Sequence, residues 1–154
     1  MVQIREAIVS DVEQIKELLL NNVVRLDENV FSDAQKDALK KYFSEHRVLK
    51  LVGDIGVFVA EDDSEIVGVV AVQDNLVFSL YSKDAELFVD ETIGSVLLDF
   101  AENYSKTNGF DKLELMALEP LKPFLEKHSY VVEDKLILEF DGVKFNEFKF
   151  IKTF

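Results

Sequence analysis

The most chemically suggestive segment of this chain is the turn at residues 90–94, which reads Asp-Glu-Thr-Ile-Gly. A predicted strand at 85–89 precedes it and a predicted helix at about 93–107 follows it, so the turn lies at a helix N-terminus. Free backbone N–H groups at such a position bind phosphate. Asp90 and Glu91 stabilise a helix N-terminus but repel a second anion there. Two interpretations therefore stay open, a phosphate site and a tightly capped helix start.

Composition limits the chemistry that the chain performs. Its 154 residues include no Cys and only 2 His, at His46 and His128. Disulfides, thiolate metal sites and cysteine nucleophiles are excluded, and the separation of the two histidines argues against a histidine-based metal site. We therefore expect no metal. The length fits one domain with one hydrophobic core, which we place over residues 1–154.

The charge balance restricts the partners. With 30 Asp and Glu against 17 Lys and Arg, the formal net charge is -13. Such a surface repels nucleic acid and anionic membranes, so we expect neither as a partner, whereas it attracts amines. A solvated acidic surface that keeps the protein soluble explains the same charge. The N-terminus has no signal-peptide pattern and no apolar run approaches roughly 20 residues, so the sequence predicts a cytoplasmic protein.

Apolar alternation predicts a sheet built from short strands. The runs at 56–60 and 66–72 are nearly continuously apolar, which is typical of strands buried on both faces. The predicted strands are residues 2–8, 56–60, 66–72, 76–81, 85–89, 112–117, 136–140 and 143–151.

The last predicted strand contains a break in its apolar pattern. An Asp141-Gly142 turn connects it to the preceding strand as a hairpin. Phe145 and Phe148 are three residues apart, which a strict period of two does not allow on one face. We therefore expect a β-bulge near residues 146–147, after which the apolar side chains return to the original face.

Capping signals and helical periodicity predict four helices. Capping boxes begin at Ser10 and Ser32, and Pro120 suits the first turn of a short helix. The longest helix, at 93–107, is predicted to pack on the sheet through one apolar face. The segment 47–55 receives no assignment. The packing face of the long helix comprises Val96, Leu97, Phe100 and Tyr104.

With the runs at 76–81 and 85–89 counted as one strand element, the order of the predicted elements is β-α-α-β-β-β-α-β-α-β-β. The strand at 85–89, the helix at 93–107 and the strand at 112–117 form a crossover unit, which makes these two strands parallel. Hairpins join most of the other strands. The sequence thus predicts a three-layer α+β domain, with a mostly antiparallel mixed sheet, helices on both faces and one parallel strand pair.

This arrangement and four stretches of sequence resemble the GNAT family, the Gcn5-related N-acetyltransferases. IREAIVSDVEQIKELL is similar to the family's opening strand and helix, and GVFVAEDDSEIVGVVAV to its second and third strands. IGSVLLDFAENYSKTNGFDKLEL resembles the central helix and following strand, and PFLEKHSYV a segment near the end of the family's domain. The resemblance covers nearly the whole chain and implies the GNAT fold and acetyl-CoA as co-substrate.

The resemblance places the coenzyme A pyrophosphate at the turn before the central helix. In the family an Arg or Gln and two small residues precede that helix, and backbone N–H groups hold the diphosphate. The matching positions here are Val89, Thr92 and Gly94. Measured from the predicted strand, the loop is shorter than in a typical member and lacks the Arg or Gln, so we interpret it as degenerate. The predicted cofactor-binding residues are Leu87, Val89, Thr92, Ile93, Gly94 and Ser95.

The resemblance also implies the groups that would act on the thioester and the amine. Backbone N–H groups of Leu87 and Val89 would bind the thioester carbonyl and stabilise the oxyanion. Glu86 is the candidate general base, since a glutamate on or beside this strand often has that role in the family. Glu86 is better explained as an outward polar residue of an alternating strand. Asp74 and Glu114 are weaker candidates.

The proton donor of the family is missing at its usual place. Many members have a tyrosine at the position of Leu125, and its hydroxyl protonates the leaving thiolate. Tyr130 is the nearest phenol and the candidate substitute, although its position usually holds a core aromatic residue. His128 is interpreted as structural. Ser129 replaces a usual glycine and is expected to strain a tight turn.

Two functions remain open from the sequence. The first is transfer of an acetyl group from acetyl-CoA to a primary amine, on a small molecule or a peptide, by direct attack of the amine on the thioester. The second is a catalytically inactive GNAT-fold protein that acts as a binding or regulatory module. The interpreted loop shortening, the two acidic residues of the turn and Leu125 favour the second. The sequence determines neither the acceptor nor whether the protein is a monomer or a homodimer.

Overall fold

A seven-stranded sheet with helices on both faces organises the chain, and its computed structural model describes residues 1–83, 85 and 89–154. No helix within these ranges is long and apolar enough to cross a membrane. The strands are β1 (Gln3–Glu6), β2 (Gly56–Asp62), β3 (Glu65–Gln73), β4 (Leu76–Ser82), β5 (Lys112–Leu118), β6 (Val131–Phe140) and β7 (Val143–Thr153). The helices are α1 (Val12–Val24), α2 (Asp33–Tyr42), α3 (Glu45–Asp54), α4 (Glu91–Thr107) and α5 (Lys122–Lys127).

The sheet has the strand order β1-β2-β3-β4-β5-β7-β6. Neighbouring strands are antiparallel, except that β4 and β5 run parallel. Helices α1, α2 and α3 contact one side of the sheet, and α4 packs against β3, β4 and β5 on the other. The predicted fold class is confirmed, including the single parallel pair.

The parallel pair uses a different strand from the one that the sequence pattern indicated. β4, at 76–82, pairs with β5, whereas the prediction assigned this role to residues 85–89. Ala85 and Val89 lie outside any strand, and 86–88 fall outside the described residues. β4 supplies the edge next to β5, and residues 83–90 connect it in sequence to α4. The predicted shortening of the loop was measured from residues 85–89, most of which fall outside the described residues, so it stays a prediction.

The two predicted capping boxes have different outcomes. Ser32 caps α2 as predicted, because its Oγ accepts the Gln35 N–H at 3.1 Å and the Gln35 Oε1 accepts the Ser32 N–H at 2.9 Å. Ser10 is not the cap of α1. A short 3-10 turn precedes that helix, and the Asp11 carboxylate accepts the Ile8 N–H at 2.8 Å. Asp11 also binds the Arg5 guanidinium, which holds the pKa of Asp11 below its ordinary value.

Helix α3 accounts for most of the segment that the sequence pattern left unassigned. It begins after Ser44, whose Oγ caps the helix, and covers residues 45–54. Val48 is its only fully buried residue, while Leu51 and Ile55 are half-buried. A helix that leaves so much of its apolar face uncovered gives a weak periodic signal.

The C-terminal hairpin has no bulge at residues 146–147. Its ladder is continuous there, and the irregularity lies on β6 between Val132 and Asp134. Phe145 and Phe148 are both buried because both faces of β7 are covered, one by α2 and α3 and the other by α4 and α5. The apolar phase break therefore marks a strand that changes its buried face.

Helix α4 packs through a face slightly rotated from the predicted one. Leu97 is fully buried, and Phe100 and Tyr104 stack against the ring of Phe58, with centroid distances of 4.7 and 5.5 Å. Val96, predicted to pack, is exposed. The helix begins two residues earlier than predicted, which carries its N-terminus into the acidic turn.

Candidate active site

The parallel strands β4 and β5 separate after two residue pairs, which opens a wedge in the middle of the sheet. Their ladder ends at Val77 and Leu115. Beyond that point β4 stays paired with β3 as far as Ser82, and β5 stays paired with β7 as far as Leu118. Each strand thus follows its outer neighbour, and their facing backbone edges part.

A bulge in β4 lies where the separation begins. Ala71 of β3 pairs with Ser79, while the next residue, Val72, pairs with Val77, so Phe78 is an extra residue in β4. A bulge bends its strand and increases the local twist. The bend turns the second half of β4 away from β5, and the exposed ring of Phe78 projects into the resulting space.

The wedge opens into a cavity of about 680 Å³ on the side of α2 and α3. This volume is typical of small-molecule sites, which are mostly apolar with a few convergent polar groups. The exposed side of α3 forms its wall, which explains why that helix buries little else. Its principal apolar lining comprises Phe43, Val48, Leu51, Phe78, Met116 and Leu138.

Glu147 is the carboxylate at the sheet side of this cavity. It lies on β7, opposite Leu118 of β5 and Leu136 of β6, and lines both the main cavity and the smaller one beside it. Removal from water raises the pKa of Glu147 above its ordinary value. A partly desolvated carboxylate at the wall of a wedge has the properties of a general base.

Tyr81 brings a phenol to the same wedge. It lies near the end of β4, and its ring meets the ring of Phe43 edge-on at 5.5 Å between centroids. Burial raises the pKa of Tyr81, with smaller contributions from Tyr42 and Glu147. The hydroxyl therefore stays protonated at neutral pH.

The start of α4 satisfies much of its own hydrogen bonding. Asp90 is the N-cap, and its Oδ1 accepts the Ile93 N–H at 2.9 Å. The Gly94 N–H donates to the Asp90 carbonyl oxygen at 2.8 Å. The Asp90 N–H in turn donates to Ser82 Oγ at 2.6 Å, which ties the helix start to the end of β4. Two N–H groups of the predicted cofactor set are thus already engaged within the helix start.

Close packing at residue 94 requires a residue without a side chain. A Cβ placed on it would lie 2.4 Å from Val89 Cγ2 and 2.9 Å from the ring of Phe124. Val89 is buried in the same contact. The glycine therefore lets α4 approach the end of the connection and α5 closely, a structural role that the sequence motif does not distinguish from a ligand-binding one.

Glu91 is part of an ionic cluster rather than an isolated charge. Its carboxylate accepts from His128 Nε2 at 2.8 Å and lies 3.5 Å from Lys127 Nζ. Desolvation alone raises the pKa of Glu91, but His128 and Lys127 together hold it below its ordinary value. Ser95 Oγ also donates to this carboxylate at 3.3 Å, whereas Thr92 is exposed to solvent.

Tyr130, the predicted proton donor, lies in the core away from the wedge. Only 1% of it is exposed, and its hydroxyl donates to Glu102 Oε1 of α4 at 2.8 Å. Lys152 Nζ binds the same oxygen at 2.9 Å. Leu125 is fully buried. His128 is engaged with Glu91, and Ser129 adopts a φ of 73°, the strained turn that the sequence predicts.

The structure describes some of the predicted base and oxyanion residues and not others. Glu86 and Leu87 lie outside the described residues, so both remain predictions. Asp74 has a φ of 57° in the β3–β4 turn. Glu114 pairs with Leu76 at the closed end of the wedge and lies 3.4 Å from Lys149. Neither lines the cavity that Glu147 lines.

Comparison with solved structures identifies the fold of this architecture. A protein described as a GCN5-related N-acetyltransferase and class-II aminotransferase from Rhodopseudomonas palustris superposes with a TM-score of 0.90, at 17% identity, over 99% of this chain and 95% of that one. An N-acetyltransferase from Staphylococcus aureus gives 0.75 at 14% identity over 99% and 97%. The PaiA N-acetyltransferase of Thermoplasma acidophilum, solved with coenzyme A, gives 0.73 at 19% identity over 100% and 99%. The chain has the GNAT fold. No family model and no curated protein sequence matches it.

Within this GNAT fold, the sequence analysis missed the residues that line the wedge. Glu147 lies in the segment where a bulge was expected, and Tyr81 was counted only as the end of a strand. The break in the apolar pattern around Glu147 was the available signal. Both faces of this strand are covered, so a polar residue between two buried aromatic residues must also lie against a layer of helices. No local sequence pattern indicated the bulge at Phe78.

Proposed function

We propose that the protein transfers an acetyl group from acetyl-CoA to an amine. The observation that carries the proposal is the wedge between β4 and β5, which opens into a cavity of about 680 Å³ lined by a carboxylate. The end of β4 at this wedge is tied to the start of α4 through Ser82. A thioester inserted between the strands would meet an acceptor held in the cavity. The GNAT-fold neighbour solved with coenzyme A supports a coenzyme site in this fold.

The backbone of β4 would hold the thioester. Within the described residues, the edge of β4 beyond Val77 is not paired with β5. The N–H groups on that edge would take the oxyanion role that the sequence analysis gave to Leu87 and Val89, because β4 is the strand that borders the wedge. The diphosphate would lie near residues 83–90 and the start of α4, where Lys127 and His128 offset the charge of Glu91.

Glu147 would act as the general base. The amine nitrogen, once unprotonated, attacks the thioester carbonyl and forms the new C–N bond, while Glu147 takes the proton that the nitrogen loses. Collapse of the tetrahedral intermediate breaks the C–S bond and releases coenzyme A as a thiolate. The desolvation that raises the pKa of Glu147 strengthens it as a base.

The leaving thiolate receives no proton from a tyrosine in this proposal. Leu125 has no proton to give, and the hydroxyl of Tyr130 is bound to Glu102. Tyr81 borders the wedge, but the burial that raises its pKa also makes it a weak acid. The thiolate of coenzyme A is stable enough in water to leave unprotonated.

The test measures binding and turnover separately. Calorimetric titration with acetyl-CoA should show saturable binding, and a thiol assay should show coenzyme A release that depends on an added amine. Binding and amine-dependent release together support the proposal. Failure of the wild-type protein to bind acetyl-CoA overturns it.

A catalytically inactive binding module is the second candidate. Leu125, fully buried where the family resemblance expects a tyrosine, favours it. Saturable acetyl-CoA binding without release of coenzyme A in the presence of any of a broad set of amines would select this second function.

A further inference from the structure

The cavity beside the wedge has charges of opposite sign at its two sides. Glu147 is the acidic group on the sheet side. On the helix side, α3 presents Arg47 and Lys50 at the rim, with His46 beside them and Asp54 at the far end of the helix. The chain as a whole carries a net charge of -13, so a cationic rim here is a local departure from the charge of the surface.

Arg47 is held in position by aromatic rings. Its guanidinium carbon lies 4.2 Å from the centroid of the Tyr42 ring and 4.9 Å from that of Phe140. Tyr42 itself lines the cavity and meets Phe140 edge-on at 5.1 Å. Cation–π contact with these two rings restrains the guanidinium and leaves its N–H edge able to bind an anion in a forked geometry.

Neither rim cation is neutralised within the part of the chain that the structure describes. Across residues 1–83, 85 and 89–154, no carboxylate forms an ion pair with Arg47 or Lys50. Lys16 and Lys41, on the neighbouring helices α1 and α2, both have carboxylate partners. The rim of α3 thus has an unused capacity to bind an anion.

We propose that the acceptor is an amino acid-like molecule, with its amine directed at Glu147, an apolar body across the cavity, and a carboxylate at Arg47 and Lys50. The inference rests on the proposed acetyl transfer and specifies its acceptor. The apolar lining between the two charged sides, from Leu51 to Phe78 and Met116, suits a hydrocarbon body. Recognition at both ends orients the amine toward the wedge, which is the positioning that direct attack requires.

The probes are ω-amino acids of increasing chain length, from aminobutanoic to aminooctanoic acid, each paired with its own neutral primary amide. Acetylation is measured with saturating acetyl-CoA, and binding of each acid is measured by calorimetry in the presence of coenzyme A. At one chain length the acid should have a KM about 10-fold below that of its amide, because one charge-assisted contact contributes about that factor. The direct binding measurement should show the same preference.

Two variants assign the preference to the rim. Arg47→Gln should raise the KM for the preferred acid about 10-fold and leave the KM for its amide and for acetyl-CoA unchanged. Lys40→Gln is the matched control, since Lys40 is exposed on neighbouring α2 and does not line the cavity. It should leave all three values unchanged.

The outcomes separate this inference from the proposed function. Acetyl-CoA binding with equal or better turnover of the amides at every chain length overturns the inference and leaves acetyl transfer standing. An effect of Arg47→Gln on acetyl-CoA instead of the acid also overturns it, because the cation would then belong to the coenzyme site. Absence of acetyl-CoA binding in the wild type overturns the proposed function and, with it, the acceptor assignment.

Discussion

The start of α4 and the cavity wall formed by α3 and β7 differ in how readily the sequence alone identifies them. The turn at residues 90–94 combines acidic and small residues in one short stretch, and it is the most conspicuous motif in the chain. In the structure much of it serves the protein itself, through the Asp90 cap, the packing of Gly94 and the ion pairs of Glu91. The wall has no motif, yet it lines the cavity with Glu147 and Arg47.

This difference teaches that a motif of contiguous residues more often serves local structure, such as a helix cap, than a binding site built from several elements. A cap or a packing glycine needs only its immediate neighbours, so its signal is local. A cavity for two substrates needs walls from several elements, and each element contributes one or two side chains. The predictions below test whether the wall of the cavity carries the chemistry and the α4 start carries stability.

The largest effect is expected at Glu147. Replacement of the proposed base, Glu147→Gln, should lower kcat about 100-fold or more, while acetyl-CoA binding is retained. The same change on exposed Glu139 of neighbouring β6 should leave kcat unchanged. Steady-state kinetics with calorimetric binding checks both. A fully active Glu147→Gln enzyme would remove this carboxylate from the mechanism.

The pH dependence of the same residue has a defined sign. Desolvation raises the folded-state pKa of Glu147. The folded protein therefore loses stability as pH rises from the ordinary glutamate pKa through the raised one. Glu147→Gln should therefore raise the melting temperature at neutral pH and have a smaller effect at acidic pH. The wild-type rate should rise with pH as the base ionises. Charged and titratable groups facing the cavity with Glu147 are Tyr42, His46, Arg47, Lys50, Asp54 and Tyr81.

Gly94 should show the next largest effect, on stability. Gly94→Ala forces a methyl group against Val89 and Phe124 and should lower the free energy of unfolding by about 1–3 kcal/mol. Gly53→Ala in α3 is the control, because nothing lies within 4 Å of a Cβ there. It should be neutral or stabilise by up to about 1 kcal/mol. Urea unfolding measures both, and equal values would contradict the packing role of Gly94.

Tyr130 should affect stability without affecting catalysis. Tyr130→Phe removes the hydrogen bond to Glu102 and should cost about 1–2 kcal/mol in the free energy of unfolding. Tyr104→Phe, on the same helix as Glu102, should change it by less than about 0.5 kcal/mol, since no described residue bonds the Tyr104 hydroxyl. A large loss of kcat in Tyr130→Phe, with the fold intact, would restore the tyrosine as a proton donor.

The smallest effect is expected at the α4 cap. Asp90→Asn keeps a capping side chain but removes one negative charge near the proposed diphosphate. Acetyl-CoA affinity should rise about 2- to 5-fold at low salt and by less at high salt. Asp99→Asn, exposed in the middle of α4, should leave affinity unchanged. Calorimetry at two salt concentrations decides, and an unchanged affinity in Asp90→Asn would place the diphosphate elsewhere.

The sequence predicted those parts of the fold that depend on near neighbours. The capping box at Ser32, the long helix that ends near Gly109 and the tight turn at Asp141 and Gly142 are all confirmed. Each depends on side-chain or backbone preferences within a few residues, which one chain segment fully specifies. The resemblance of those segments in order identified the GNAT fold.

Local pattern was a poorer guide where one strand was chosen over another. Residues 85–89 have the apolar content of a strand, and yet β4, at residues 76–82, pairs with β5. The choice depends on which segment also fits β3, and that pairing joins residues far apart in sequence.

The sequence by itself determined the order of helices and strands apart from α3, the cap at Ser32, the turn at Asp141 and Gly142, and an acidic chain with neither cysteine chemistry nor clustered histidines. Only the tertiary structure decided that Phe78 bulges, that β4 and β5 part after Val77, and that Glu147 and Arg47 line one cavity. The physical reason is the range of the interactions. Caps and turns close over a few residues, whereas the wedge arises from strands that follow different partners and from helices that cover the sheet from distant parts of the chain.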